Sequence, residues 1–183
     1  ESDEVITGAN PDLRWVNVLS NSDMEGEELA SFWKTENNPA VVDSLESVIN
    51  APIAAEIGKD GSRGIMVSSY PSTDGNGITD SWAAQFFVAV PEQLPQGTSY
   101  KMVFDYRAST EVTAETQAHK EPGNYNHWSM IGSPAFTTDW KTYTAEGKLD
   151  ANQANGYFKS VAFNLHINKE EQVDFYFDNV YFY

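Results

Sequence analysis

The stretch Val173-Asp-Phe-Tyr-Phe-Asp-Asn-Val-Tyr-Phe-Tyr183, at the end of the chain, decides the fold because it reads as a long β-strand. A matching strand signal lies near the other end, in Asn17-Val-Leu-Ser-Asn-Ser-Asp-Met-Glu25. Each stretch sets a carboxylate among apolar residues, where a charge must be paired or must bind a cation, because isolated burial is costly. We therefore expect the two ends of the chain to meet in one sheet.

Further strand signals recur along the whole sequence and are separated by breaks rich in Gly, Pro, Asn and Asp. The predicted strands cover about 14–19, 52–57, 64–69, 81–90, 99–108, 112–119, 125–131, 138–146, 158–167 and 173–183. Short strands with turns at this spacing predict an all-β fold, an antiparallel β-sandwich or a barrel. The one helical candidate runs from Asp43 to Ile49, and 183 residues fit a single domain over 1–183.

Charge and composition limit the partners. The formal net charge is −16 and the pI is near 4.3, which argues against nucleic acid, anionic membranes and acidic polysaccharides. A neutral partner is the easiest to accommodate. The absence of Cys excludes disulfides, thiolate zinc sites and Cys nucleophiles.

No apolar run approaches the roughly 18 residues of a membrane span, so no membrane insertion is expected. The sequence starts at Glu1 with neither Met nor a signal segment, which suggests a mature or excised piece of a larger enzyme. The acidity suits a secreted protein, and we expect a secreted, cell-surface or periplasmic monomer.

Alternation along the predicted strands separates an apolar face from a polar one. In 112–119, Val112, Ala114, Thr116 and Ala118 share one face, and Glu115, Gln117 and His119 are on the other. An ordinary sandwich carries Thr, Lys and Glu on its solvated face, and that remains the alternative interpretation. The enrichment in Gln, Asn and His instead suits recognition of hydroxyl groups.

Sugar binding in water needs flat rings against the C–H faces of pyranoses and planar polar groups for the hydroxyls. Tyr125-Asn-His-Trp128 and Ser81-Trp-Ala-Ala-Gln85 combine both kinds of side chain. As a strand, 125–128 would place Trp128 and Asn126 on one face, and we favour that face for a groove, with Trp82 or Tyr125 entering from a strand end. The candidate sugar-binding residues are Trp82, Gln85, Arg107, Glu115, Gln117, His119, Tyr125, Asn126 and Trp128. For each single ring, core packing is the alternative.

Catalytic carboxylates are the competing interpretation. Glycoside hydrolysis needs two carboxyl groups roughly 5 to 9.5 Å apart. Acids four residues apart on a strand, such as Asp174 and Asp178, are separated by some 13 Å, at about 3.3 Å per residue. Asp105 and Glu115, on different strands, remain a possible catalytic pair. A β-sandwich hydrolase or lyase is therefore one alternative function, and an adhesion or assembly domain is another.

Two other ligand classes can be weighed. The three His residues (119, 127 and 166) lack the spacing of a zinc site, and isolated or hydrogen-bonded His is the better prediction. Calcium takes several oxygen ligands, which Glu25 and Asp178 could supply if the two end strands meet. The alternatives are a solvated turn acid for Glu25 and a hydrogen-bonded acid for Asp178.

Four stretches, in order, resemble the jelly-roll carbohydrate-binding modules of families 4, 9 and 22. Asn17–Glu25 resembles their opening segment, and Tyr100–Ala108 resembles their central strand. Thr137–Tyr143 is similar to their Trp-x-x-Tyr strand. Phe175–Tyr181 is similar to their final strand with its Asp-x-Val ending.

This resemblance implies a two-sheet jelly roll that binds a neutral β-linked polysaccharide, such as xylan or mixed-linkage β-glucan, in a groove on the concave sheet. It also implies a non-catalytic part in a secreted glycoside hydrolase, often a xylanase. Glu25 and Asp178 match the structural calcium ligands of the family, and Trp82 with Gln85 matches the groove aromatic. The stretch from Glu27 to Pro71 aligns poorly.

Overall fold

The computed structural model describes residues 4–5, 14–40, 48–72, 80–122 and 124–183. In chain order the strands are β1 (Glu4–Val5), β2 (Arg14–Trp15), β3 (Phe32–Thr35), β4 (Ile49–Asn50), β5 (Ile53–Ala54), β6 (Gly64–Ser69), β7 (Gln85–Ala89), β8 (Ser99–Ala108), β9 (Val112–Thr113), β10 (Glu115–His119), β11 (Ala135–Phe136), β12 (Lys141–Lys148), β13 (Ser160–Asn164) and β14 (Val173–Phe182). One short helix, α1 (Ala151–Asn155), and two 3₁₀ turns, Lys59–Gly61 and Ser81–Ala83, complete the described elements.

Two five-stranded antiparallel sheets form a sandwich, as the strand pattern predicts. The front sheet has the order β10-β13-β7-β3-β4, and the back sheet has the order β12-β8-β14-β6-β5. Two smaller strand pairs, β1-β2 and β9-β11, lie outside these sheets. Within the described ranges, no helix has the length and apolar character needed to cross a membrane.

Aromatic rings from both sheets fill the space between them. Phe86 of the front sheet stacks on Phe177 of the back sheet, with ring centroids 3.9 Å apart. Phe163 of the front sheet meets Phe104 of the back sheet edge to face at 5.2 Å. All four side chains are buried. Burial of each ring contributes about 1.5–3 kcal/mol, so these contacts hold the two sheets in a fixed relation.

The two ends of the chain meet, as predicted, but not as paired strands of one sheet. Val18 N–H donates to the carbonyl of Phe182 at 2.9 Å, and Val180 N–H donates to the carbonyl of Ser22 at 3.0 Å. The opening segment is nevertheless not a regular strand. Met24 has φ 63°, a left-handed conformation that ends β pairing locally.

The structure differs from the predicted strands at two places that matter for the site. Residues 125–131 do not form a strand, because His127 has φ 61° and only a single bridge joins Trp128 to Ala118. Strand β3 forms within the stretch where no strand was predicted. Of the predicted helix, residues 43–47 lie outside the described residues, and its last residue, Ile49, belongs to β4.

Candidate functional site

The outer surface of the front sheet, termed the front face, is built by simple alternation. Phe86 and Phe163 point into the core, so their strand neighbours Gln85 and Asn164 point outward. The antiparallel register sets outward residues side by side. One row across four strands contains Gln117, Ala162, Phe87 and Trp33.

A cleft of about 350 Å³ opens on this face and is termed the first cleft. It is lined by Trp82, Gln85, Gln117, His119, Tyr125, His127 and Asn164. Trp82 lies in the 3₁₀ turn that precedes β7 and is 51% exposed, and Tyr125 is 45% exposed. Two large rings thus remain accessible beside several amides and imidazoles.

The floor of the first cleft contains a pair of amides. Gln85 Nε2 donates to Asn164 Oδ1 at 2.9 Å, and both residues are buried. Tyr125 Oη donates to Gln85 Oε1 over a longer 3.4 Å. Each amide has more donor and acceptor positions than these bonds use, so the pair has capacity for a further polar partner.

His119 holds one wall of the first cleft. Its Nδ1 accepts the backbone N–H of Asn126 at 2.9 Å and that of His127 at 3.1 Å. A ring nitrogen that accepts carries no proton, so the neutral ring is protonated at Nε2. Burial and, to a smaller extent, the neighbouring His127 together lower the pKa of His119 from 6.5 to about 4.

The other imidazole of the cleft belongs to a short polar chain. His127 Nδ1 lies 2.8 Å from Gln117 Oε1. Because an amide oxygen can only accept, His127 donates through Nδ1. Gln117 Nε2 in turn donates to Glu115 Oε1 at 3.0 Å. This chain fixes the orientation of the Gln117 amide at the cleft.

Five of the predicted sugar-binding residues line the first cleft: Trp82, Gln85, Gln117, His119 and Tyr125. Glu115 adjoins it through Gln117, and Asn126 contributes its backbone N–H to His119. Two lining residues, His127 and Asn164, were not among the predicted set. The outward position of Asn164 could have been predicted, because Asn164 follows the buried Phe163 on the same strand. The position of His127 could not, because it depends on a turn in a stretch whose sequence pattern predicts a strand.

Trp128 and Arg107 lie away from the first cleft, which corrects their predicted placement. Trp128 is half-buried and packs against the hydrophobic core, and its ring lies so close to Gly156 that a Cβ there would approach it to 2.5 Å. Arg107 is on the outer face of the back sheet, with its guanidinium 3.9 Å from the Tyr176 ring and 5.6 Å from the Trp140 ring. The first cleft is therefore lined by Tyr125 and His127, and not by the predicted pair of Asn126 and Trp128.

Asp105 and Glu115, the possible catalytic pair of the sequence analysis, lie on opposite sheets of the sandwich. Asp105 is on the outer face of the back sheet, opposite Asp178 in the strand register. Glu115 is on the front face. Among the described residues, the lining of the first cleft includes no carboxylate. The geometry gives no paired acids for hydrolysis at this place.

The two predicted calcium ligands both bind the same loop. Glu25 Oε1 accepts the backbone N–H of Arg63 at 2.9 Å. Asp178 Oδ2 accepts the backbone N–H of Lys59 and the hydroxyl of Ser62, each at 2.9 Å. Asp178 thereby fastens the loop that follows β5 to the last strand, and Glu25 fastens it to the opening segment.

This arrangement does not fit a calcium ion well. Asp178 Oδ1 accepts a third N–H, from Asn179 at 2.8 Å, so donors already occupy both oxygens. Burial raises the pKa of Asp178, and Asp105 raises it further, although the three donors oppose the shift. Calcium takes about six to eight oxygens. In the part of the chain that the structure describes, no three acidic, His or Cys side chains are grouped for a metal.

No protein-family model matches this chain, and no curated protein matches it. Several solved structures match this chain. The second family 22 xylan-binding domain of Paenibacillus barcinonensis Xyn10C is 14% identical at a TM-score of 0.50, over 71% of this chain and 83% of that one. The enzymatically active domain of tailspike protein 4 from bacteriophage CBA120 is 13% identical at a TM-score of 0.52, over 91% of this chain and 21% of that one.

A family 4 carbohydrate-binding module is 23% identical at a TM-score of 0.46, over 72% of this chain and 76% of that one. The chain has the jelly-roll β-sandwich fold of the carbohydrate-binding modules. At these identities the similarity establishes the fold alone. Because a fold can host several functions, the function has to be inferred from the first cleft.

Proposed function

We propose that this protein is a non-catalytic module that binds a neutral β-linked polysaccharide in the first cleft, with xylan as the first candidate and mixed-linkage β-glucan as the second. One observation carries the proposal. Two exposed rings, Trp82 and Tyr125, stand beside the amides of Gln85, Gln117 and Asn164 in a single cleft.

The rings would supply affinity and the amides would supply orientation. A pyranose presents C–H groups on its faces, and an exposed indole or phenol ring covers them with little loss of conformational entropy. The hydroxyls around the sugar lose water on binding and need partners in compensation. Amides suit that role because each carries both donors and an acceptor.

Charge supports a neutral ligand and a binding role. The net charge of −16 disfavours acidic chains, and a neutral glycan meets no such repulsion. The described lining of the first cleft holds no carboxylate pair that could act as acid and nucleophile. Solved carbohydrate-binding modules with the same fold, including a xylan-binding domain, make this function a natural one for the architecture.

The module would act for a catalytic domain in the same secreted polypeptide, and would itself be monomeric. Holding such an enzyme at its substrate raises the effective concentration of the enzyme without any chemistry in the module. An open cleft leaves much of the ligand in water. We therefore expect a dissociation constant on the order of micromolar or weaker.

Affinity electrophoresis against xylan, mixed-linkage β-glucan, cellulose and mannan tests the proposal. We expect retardation by at least one of them, and about tenfold weaker binding by Trp82→Ala, equivalent to roughly 1.4 kcal/mol. Tyr157→Ala is the matched control, because Tyr157 is also 51% exposed but does not line the first cleft.

Three outcomes would contradict the proposal. The first is that no glycan retards the protein while a protein ligand binds it, which would indicate an adhesion or assembly domain. The second is unchanged binding by Trp82→Ala. The third is release of reducing sugar by the purified chain, which would indicate a hydrolase or lyase.

A further inference from the structure

The first cleft offers a ligand more hydrogen-bond donors than acceptors. Three amide side chains line it, those of Gln85, Gln117 and Asn164. The oxygen of Asn164 accepts from Gln85, and that of Gln85 accepts from Tyr125. The oxygen of Gln117 accepts from His127. Each amide also carries two N–H groups, and only two of these six donate to a partner in the described part of the chain.

Unused donors reach the cleft although their residues are buried. Asn164 Nδ2 donates to none of the described residues. Ser160 Oγ is the one buried side-chain polar atom without a partner in that part of the chain, so Asn164 Nδ2 is not sealed inside the protein. The protonated Nε2 of His119 likewise has no acceptor among the described residues and is not sealed. A ligand in the cleft can accept from both atoms.

A sugar hydroxyl is a poor match for this floor. It both donates and accepts, and burying its proton without an acceptor is costly. The described lining has no carboxylate, and its amide oxygens already accept bonds. Neutral His127 keeps an acceptor at Nε2, but its ring is exposed, so water can reach that atom. A carbonyl oxygen fits better, because it only accepts and brings no donor that needs a partner.

We propose that the first cleft recognises an acetyl group on the bound glycan, with its carbonyl oxygen on the amide floor and its methyl group against the exposed rings of Trp82 and Tyr125. This inference rests on the proposed function and narrows its ligand to an acetylated sugar. An ester on a hydroxyl and an amide on an amino sugar both supply this group. The cleft, at about 350 Å³, is near the lower end of ligand sites, roughly 300–1,000 Å³, and suits one substituted sugar.

A carboxylate is the other group that only accepts, and electrostatics disfavours it. Among the described residues, neither Lys nor Arg lines the first cleft. His119 adds no positive charge near neutral pH, because its Nδ1 accepts two backbone N–H groups and its pKa is about 4. An anion would lose water without gaining a cation, and the net charge of −16 would repel it.

Calorimetric titration with matched ligands tests the inference. The probes are acetylated xylo-oligosaccharides and the same preparation after deacetylation with mild alkali, so the two differ only in their acetyl groups. We expect the unchanged protein to bind the acetylated ligand about tenfold more tightly. Equal affinity for the two would overturn the inference and leave the proposed function standing. Binding of no glycan at all would overturn both.

Two substitutions replace amide donors by acceptors and keep the shape of the side chain, Asn164→Asp and Gln117→Glu. Each should reduce the ratio of the two dissociation constants from about tenfold toward equality. Gln117 is only half-buried, so Gln117→Glu keeps the test decisive if the buried Asn164→Asp does not fold. Asn155→Asp is the matched control, because it adds the same charge at an exposed position outside the cleft. Full preference in both cleft variants would contradict recognition by the amides.

Two further ligands separate the sources of the accepting group. Chito-oligosaccharides carry the acetyl group as an amide. If they bind as tightly as the acetylated xylo-oligosaccharides, the acetyl group is recognised on either sugar, and weaker binding assigns it to the ester. Xylo-oligosaccharides with a glucuronic acid branch present a carboxylate instead. Tighter binding of this acidic ligand than of the acetylated one would overturn the proposal.

Discussion

His119 accepts the backbone N–H of Asn126 at its Nδ1 atom, at 2.9 Å, and the same atom accepts the N–H of His127 at 3.1 Å. One buried imidazole therefore holds the turn that presents Tyr125 to the first cleft. The Tyr125 ring also packs edge to face on His119, with centroids 4.9 Å apart. Protonation of Nδ1 would remove the acceptor that both N–H groups use.

Acid should therefore destabilise the protein through His119. The folded-state pKa, about 4, lies below the ordinary 6.5, so the unfolded chain binds the proton more readily between these values. The free energy of unfolding should fall as the pH drops from about 6.5 to about 4, by no more than about 3 kcal/mol from this residue. Urea unfolding at several pH values measures the slope.

His119→Asn is the control for this effect. Its side-chain oxygen can stand near the position of Nδ1 and accept an N–H, but it does not titrate. The pH dependence between 4 and 6.5 should be smaller in this variant. His127, which faces His119 with ring centroids 5.3 Å apart, is present in both proteins. An unchanged slope would show that His119 is not the titrating group.

The carboxylate of Asp178 should stabilise the fold without calcium. Asp178→Ala leaves three N–H and O–H donors without their acceptor, including the backbone N–H of Lys59, and should cost about 1–3 kcal/mol. Thermal unfolding in the presence of a chelator measures the loss. Asp139→Ala, which removes an exposed acid, should have little effect.

Calcium itself is tested in the same experiment. Because donors occupy both oxygens of Asp178, we expect the melting temperature of the unchanged protein to be the same with calcium and with chelator. A rise with calcium that Asp178→Ala abolishes would instead support the calcium site predicted from the sequence.

Much of the fold could be predicted from the sequence because strands carry their own pattern. Alternation assigned the core-facing residues of β8 and the outward amides of the front sheet, and the matching end segments predicted that the termini meet. These features depend on local periodicity. The sandwich and the outward placement of Gln117 and His119 follow from it.

The remaining features depend on tertiary contacts that have no local pattern. The turn at 125–127 looks like a strand, yet His119 captures its backbone and His127 adopts φ 61°. Side chains of this turn therefore do not alternate as they would in a strand, and Trp128 packs against the core instead of lining the first cleft. Arg107 was misplaced for another reason, since alternation identifies the outward face of a strand but not which sheet the strand joins.

Glycan binding should be nearly independent of salt. The proposed ligand is neutral, so screening of the −16 net charge changes neither attraction nor repulsion between the partners. The dissociation constant should change by less than about twofold between low salt and molar salt, although the Debye length falls several-fold over that range. Calorimetry at the two salt concentrations measures this. A strong weakening by salt would indicate that charged groups dominate recognition.

Ser160→Ala should raise the stability of the protein. Ser160 Oγ is buried without a hydrogen-bond partner among the described residues, so it has lost water without compensation. Replacing it with a methyl group removes that penalty, and the free energy of unfolding should rise by about 1 kcal/mol. Urea denaturation, with m-values compared between the proteins, measures the change.

Ser69→Ala is the matched control, because it removes a hydroxyl that is equally buried but is paired. Ser69 Oγ lies 2.7 Å from Nδ1 of the buried His166, and losing this contact should lower stability by about 1–2 kcal/mol. The two substitutions delete the same atom and should therefore have opposite signs. If Ser160→Ala also lowers stability, its hydroxyl is paired in solution.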